Sequence, residues 1–182
     1  MEEYTDQELL NMYRDEQSRN MCIHFMIKQY QQRLYWHIRK MVIDHADSDD
    51  VLQNTFIKAW KGMETFKEES KLYTWLYRIA TNESISFLRQ KKQRNLISFE
   101  TIEEYLSKNL ESDSFFKGDE IQLKLQKAVL TLPEKQRIVF NMRYYDETPY
   151  ETMSEILETS ASALRASYHI AAKKVEEFLV NN

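Results

Sequence analysis

The chain has 182 residues, 42% hydrophobic and 30% charged, with a formal net charge of −4; this balance excludes a disordered segment, and the length allows one domain or two small ones. Only two glycines, Gly62 and Gly118, and two prolines, Pro133 and Pro149, occur, too few for the turns of a sheet protein, so an all-α architecture is expected. The lone Cys22 cannot form an internal disulfide, the four histidines make no ligand cluster with it, and no run of about 18 apolar residues is present; no metal, cofactor or membrane insertion is expected, and a reducing, cytoplasmic setting fits.

In chain order, Thr5 and Glu8 form a capping-box pair that opens a first helix carrying Leu9, Leu10 and Tyr13. A long helix from about Met21 to Ile43 follows, with Phe25, Ile27, Tyr30, Leu34, Ile38, Met41 and Val42 at helical intervals. Ser48 can cap a third helix through Val51, Leu52, Phe56, Ile57 and Trp60, with Gly62 as its stop signal. A short polar loop, Thr65 to Ser70, leads into a helix from Leu72 to Arg94.

That fourth helix is the most informative stretch. At about 100° per residue, Lys71, Arg78, Asn82 and Arg89 share one face with Trp75 at its edge, while Leu72, Leu76, Ile79, Ala80 and Phe87 lie on the other. Between Lys71 and Arg94, six basic residues stand against Glu83 alone, in a chain that is acidic as a whole. Cations, an amide and an indole on one face suit single-stranded nucleic acid, although a solvated helix face explains the charge alone equally well. Glu83 falls on the apolar side, with no partner evident from sequence.

From Asn95 to Glu120 seven acidic residues face two lysines, which predicts a linker, with at most a short amphipathic turn from Ile102 to Leu110. The expected division is therefore a first domain over 1–94, an acidic linker over 95–120 and a second domain over 121–182. In the last part, Pro133 and Pro149 mark helix starts, the second inside a Thr148-to-Glu151 capping box. Ser160 can cap a final helix with Leu164, Tyr168, Ala171 and Val175 inward. Ser162, Arg165, Ala166, His169 and Lys173 then face outward, so the last two helices are a candidate helix-turn-helix.

Together these pieces resemble the extracytoplasmic-function (ECF) group of bacterial RNA polymerase sigma factors, in the sigma-70 family. The resemblance rests on Asp49-Asp50-Val51-Leu52-Gln53-x-x-Phe56-x-Lys58-Ala59-Trp60, on Phe66-x-x-x-Ser70, and on Tyr73-Thr74-Trp75-Leu76-Tyr77-Arg78-Ile79-Ala80-x-Asn82. In the second half it rests on Leu132-Pro133-x-x-Gln136-Arg137-x-Val139-Phe140, on Arg143-Tyr144-Tyr145 and on the stretch from Tyr150 to Lys174. It implies two small helical domains, a region 2-like bundle and a region 4-like helix-turn-helix, joined by a flexible acidic linker.

The resemblance also implies roles. Asp49, Asp50, Gln53, Phe56 and Trp60 would grip the coiled coil of the polymerase's largest subunit. Phe66, Lys67, Ser70, Lys71, Tyr73, Trp75, Arg78, Asn82 and Arg89 would bind the melted −10 element, with Asn82 helping to hold a base rotated out of the stack. Ser160, Ser162, Arg165, Ala166, His169 and Lys173 would meet duplex DNA at the −35 element, and the polymerase flap and a cognate anti-sigma factor would be further partners. Asn54 replaces a glutamate common in the family, Ser167, Ile170 and Ala172 replace frequent arginines, and Glu158 stands where the turn commonly carries glycine, predicting a different turn geometry.

Two other classes compete. A conventional dimeric helix-turn-helix regulator accounts for the second half but leaves Trp75, Arg78 and Asn82 unexplained. An enzyme acting on DNA finds little support, because Asp49 and Asp50 point about 100° apart on a helix and make a poor metal pair.

Overall fold

The computed structural model describes residues 4–68, 70–95, 102–113 and 120–181, and among these residues every regular element is a helix. Four form the N-terminal part: α1 (Asp6–Arg14), α2 (Arg19–Val42), α3 (His45–Gly62) with a 3₁₀ turn at Met63–Thr65, and α4 (Leu72–Asn95). α5 (Ile102–Ser112) follows, then α6 (Glu120–Leu130), α7 (Glu134–Tyr144), α8 (Tyr150–Leu157) and α9 (Ala161–Asn181). α2, α3 and α4 pack on one another with α1 across α2, while α9 is held by α6, α7 and α8.

The ends of the helices follow local chemistry, though not always the residues expected. Thr5 and Glu8 make the anticipated box, the Thr5 N–H donating to Glu8 Oε2 at 2.7 Å. α3 is capped by Asp44, whose carboxylate accepts from the Asp47 N–H at 2.9 Å. Ser48, expected as that cap, lies one turn inside the helix and is buried, its hydroxyl donating to the Asp44 carbonyl. At α8 the capping box from Thr148 is absent: Pro149 itself occupies the cap position with extended backbone. Ser160 does cap α9, accepting from the Ala163 N–H at 3.3 Å.

The turn between α8 and α9 corrects a second expectation. Glu158 adopts a left-handed conformation, φ 52° and ψ 39°, which is the geometry a glycine would supply there. The helix-turn-helix angle is kept by a residue that strains to keep it. Ile43 is also strained: at φ 69° a buried β-branched residue forms a γ-turn, with the Asp44 N–H donating to the Val42 carbonyl at 2.9 Å.

The acidic stretch is more structured than its composition suggested. Where one amphipathic turn was expected, α5 runs for 11 residues and buries Leu106 and Leu110 completely, in a cluster with Ile43, Leu88 and Leu130. Lys91 of α4 donates to Asp47 of α3 at 2.6 Å and to the Tyr105 hydroxyl of α5. The remainder of the expected linker, 96–101 and 114–119, lies outside the described residues.

One apolar core runs through both halves. Leu72, Leu76 and Ala80 of α4 share it with Ile138, Val139 and Met142 of α7, Met153 and Ile156 of α8, and Leu164 of α9. A smaller cluster, Ala128, Val129, Leu132, Phe140, Ala171 and Val175, holds α6, α7 and α9 together.

Candidate nucleic-acid interface

α4 is built outward from its buried side. At its first turn Asp6 of α1 reaches across and accepts from the Leu72 N–H at 2.8 Å. Glu83, unexplained from sequence, pairs with Lys58 of α3 at 2.5 Å, so the lone acidic residue of the basic helix is neutralised by its neighbour.

The nine candidate residues for the −10 element divide into three groups. Phe66, Ser70 and Lys71 line a cavity of about 510 Å³ with Asp6, Glu68 and Thr74, and Lys67 is exposed beside them. Asn82 and Arg89 line a second cavity of about 370 Å³ further along α4, with Arg78 one turn before Asn82 on the same side. Tyr73 and Trp75 are drawn inward instead. The Tyr73 ring packs against Tyr30 and Tyr77, with the Arg33 guanidinium 4.1 Å from its centroid, and burial pushes its phenol up to about 12. Trp75 leans on Phe66, ring centroids 5.0 Å apart, and over Gly62, where an added Cβ would come within 3.1 Å of the indole.

The face holding Asn82 is exposed, with acidic residues of the C-terminal half beside it. Arg89 pairs with Glu134 of α7 at 3.3 Å, and Arg78 lies 3.9 Å from Glu158 in the helix-turn-helix. The second cavity is walled by Ile156, Leu157, Ala163, Leu164 and Ser167, and the first has Thr152 and Glu155 of α8 on its rim. These opposing residues are not evident from sequence, because nothing local links positions 45 to 89 residues apart.

Below this face sits a buried polar cluster that joins the halves. Asp146, just after α7, accepts from His37 Nδ1 at 3.1 Å, from Lys40 Nζ at 2.6 Å and from the Tyr77 hydroxyl. Thr81 donates its single hydroxyl proton to the Tyr77 carbonyl at 2.9 Å, so it accepts from His37 Nε2, also at 2.9 Å. His37 thus bridges the Asp146 carboxylate and the Thr81 hydroxyl through its two ring nitrogens. Burial raises the Asp146 carboxyl, but the hydrogen bond and charge of His37, then those of Lys40, outweigh it and hold the group at about 2.

A different surface lies between α2 and α3. Ile23, Ile27, Leu52, Phe56, Ile57 and Trp60 form an apolar groove of about 520 Å³, with Asp49, Gln53 and Lys61 at its edges. It thus gathers Asp49, Gln53, Phe56 and Trp60 of the predicted polymerase set; Asp50 is exposed on the next face of α3. Phe56 is buried in the core and Trp60 packs edge-on to Tyr13 at 5.1 Å. Ile23 and Ile27 were missing from the sequence set, their helical spacing being indistinguishable from core packing. On α9, Ser162, Arg165, Ala166, His169 and Lys173 are all exposed, as is Ser160 before it. Arg165 stacks over the Tyr150 ring at 5.0 Å.

Among the described residues no cluster of His, Cys, Asp and Glu could hold a metal ion, and no helix is long and apolar enough to cross a membrane.

Comparison with known proteins places this architecture. Residues 26–94 match the family described as Sigma-70 region 2, and residues 122–175 that described as Sigma-70, region 4. The RNA polymerase sigma-H factor of Pseudomonas aeruginosa is 27% identical over 162 residues, 85% of this chain and 84% of that protein. The ECF RNA polymerase sigma-E factor of Haemophilus influenzae is 28% identical over 183 residues, 96% of this chain and 95% of that protein. Among solved structures, CnrH in complex with the cytosolic domain of CnrY superposes with a TM-score of 0.71 at 18% identity, covering 97% of this chain and 98% of that one. The sigma factor RpoE in complex with the anti-sigma factor NepR, from Bartonella quintana, gives 0.64 at 18% identity over 85% of this chain and 94% of that one.

The two matched regions together span well over half of the chain, which belongs to the sigma-70 family as a sigma factor of the ECF group. It directs core RNA polymerase to promoters, a DNA-recognition rather than an enzymatic task, and the dimeric-regulator reading is not favoured because it leaves the first match unused.

Proposed function

We propose a division of labour among the three surfaces. The α2–α3 groove takes the helical coiled coil of the polymerase's largest subunit, its apolar floor burying hydrophobic surface and Asp49, Asp50 and Gln53 supplying polar specificity at the rim. The first cavity and the α4 face take the melted −10 strand. Asn82 presents a donor and an acceptor to a base edge, while Arg78, Arg89, Lys71 and Lys67 meet phosphates. The outward face of α9 enters the major groove of the −35 element through Arg165, His169 and Lys173, with Ser160, Ser162 and Ala166 at its near end.

On this reading 1–94 is the polymerase and −10 unit, 95–120 the connection and 121–182 the −35 unit, which also meets the polymerase flap. The protein works in the cytoplasm, carries no catalytic group, and is held in check by an anti-sigma factor, by analogy with the Bartonella quintana sigma factor solved with the anti-sigma factor NepR.

The observation that carries the polymerase assignment is the exposed apolar groove with the Asp49 carboxylate at its rim and Asp50 exposed beside it. Charge reversal of Asp49 and Asp50 together should reduce capture by core polymerase and run-off transcription by roughly tenfold, two exposed polar contacts being worth about 1–2 kcal/mol. Helical content should stay unchanged. Undiminished capture would move the polymerase interface elsewhere.

A further inference from the structure

The cavity of about 510 Å³ that holds Phe66, Ser70 and Lys71 has a wall from outside the −10 set. Asp6, Gln7 and Leu10 of α1 complete its lining, and α1 lies outside residues 26–94, the part that matches Sigma-70 region 2. Two contacts fasten α1 to the loop and to α4. Asp6 Oδ2 accepts from the Leu72 N–H at 2.8 Å. Arg14 pairs with Glu68 at 2.5 Å, and Glu68 stands in the left-handed region at φ 59°. Phe66, half-buried in the same lining, is braced by Trp75 at 5.0 Å, whose indole lies over Gly62 with no room for a Cβ.

Asp6 keeps hydrogen-bonding capacity for a ligand. The Tyr30 hydroxyl reaches its Oδ1 only at 3.4 Å, beyond the usual O–H···O range, and each carboxylate oxygen has two lone pairs. Lys71, exposed in the same lining, brings donors and no acceptor. An acceptor and a donor on one cavity match a base edge with an amino group beside a ring acceptor, which adenine and cytosine present. Thymine and guanine carry a carbonyl oxygen at the place of that amino group, and a carboxylate repels it. Asn82 lies three turns further along α4, about 16 Å away, too far for one base to meet both.

We infer that this cavity is a second base-reading pocket for the −10 strand, separate from Asn82, and that Asp6 of α1 sets its preference for adenine or cytosine. This rests on the assignment of the loop and α4 to the −10 strand proposed above. Phe66 is the platform on which the base stacks, and Asp6 and Lys71 read its edge. All these groups belong to α1, the loop and α4; Thr152 and Glu155 on the rim take no part.

The test uses the full chain with core polymerase on promoters already melted over the −10 element. Each carries one of the four bases, or an abasic site, at successive −10 positions, and fluorescence anisotropy reads binding. The parent should prefer adenine or cytosine to thymine by about tenfold at one position other than that governed by Asn82. Asp6→Asn keeps an oxygen to accept from the Leu72 N–H but adds an amide N–H that pairs with a carbonyl. The preference there should fall to about twofold or turn toward thymine. With the abasic site at that position, parent and variant should bind equally, since no base edge is left to read. Gln7 is exposed, so Gln7→Lys probes the pocket without risk to folding: an ammonium beside the Asp6 carboxylate should weaken the same preference. A parent-like ranking by Gln7→Lys or by a folded Asp6→Asn chain, or a difference that persists at the abasic site, overturns the role of α1 and leaves −10 reading by α4 intact. A parent with no base preference at any −10 position overturns the assignment of the loop and α4 as well.

Discussion

At the scale of the residue, Asn82 is the side chain on which −10 recognition turns. Its amide sits on the solvent-facing side of α4, between the turns bearing Arg78 and Arg89. Asn82→Ala should leave capture by core polymerase intact and blur preference at one position of the −10 element by about tenfold, a polar base contact being worth about 1–3 kcal/mol. Run-off transcription from a panel of −10 single-base variants checks this, and identical ranking by mutant and parent would remove Asn82 from the site. Asp146 gives a second prediction. Its carboxyl is lowered to about 2 in the folded chain from an ordinary 3.8, so the folded state gains about 2 kcal/mol from it, fully present above about pH 4 and lost as the pH falls through about 2. Urea midpoints of the parent and of Asp146→Asn should therefore converge as the pH is lowered over that window. A constant gap would show that the Asp146 cluster is not ionic. The Asn82 motif was legible from sequence because its companions lie on one helix. The Asp146 cluster was not, since His37, Lys40 and Tyr77 are 69 to 109 residues away from it.

At the scale of the element, helix existence and helix faces were readable, and errors gathered at the ends. Hydrophobic spacing located the core side of α2, α3, α4 and α9, since burying one stripe is the condition for the helix to form at all. Caps failed where two residues competed for one job: Asp44 wins over Ser48 because it lies just outside the first turn, and Pro149 displaces Thr148 at the cap position, where its missing N–H costs no helical hydrogen bond. α5 was underestimated because acidic residues on its exposed side dominate its composition, whereas the side that decides its fate carries Leu106 and Leu110. Leu110→Ala should destabilise the chain by about 2–5 kcal/mol, the usual range for emptying a buried leucine site. Chemical denaturation measures this. A loss below about 0.5 kcal/mol, as at a surface position, would mean that α5 is only loosely attached.

At the scale of the whole molecule, the sequence implied two units and their tasks but not that they share a core. That fact depends on long-range complementarity between Met142, Met153, Ile156 and Leu164 on one side and Leu72, Leu76 and Ala80 on the other, which any helix bundle of similar composition could distribute differently. The consequence is a protein whose net charge of −4, arginine-poor α9 and carboxylate-paired Arg78 and Arg89 all oppose DNA binding by the free chain. The central claim is therefore that promoter recognition belongs to the complex with polymerase. The direct measurement is fluorescence anisotropy of one duplex promoter, verified by run-off transcription, titrated at physiological salt with the chain alone, core polymerase alone and the two together. Tight, sequence-specific binding only by the pair is the predicted result, with the free chain weaker by at least a hundredfold, about 3 kcal/mol. Equally tight, specific binding by the free chain would contradict the account.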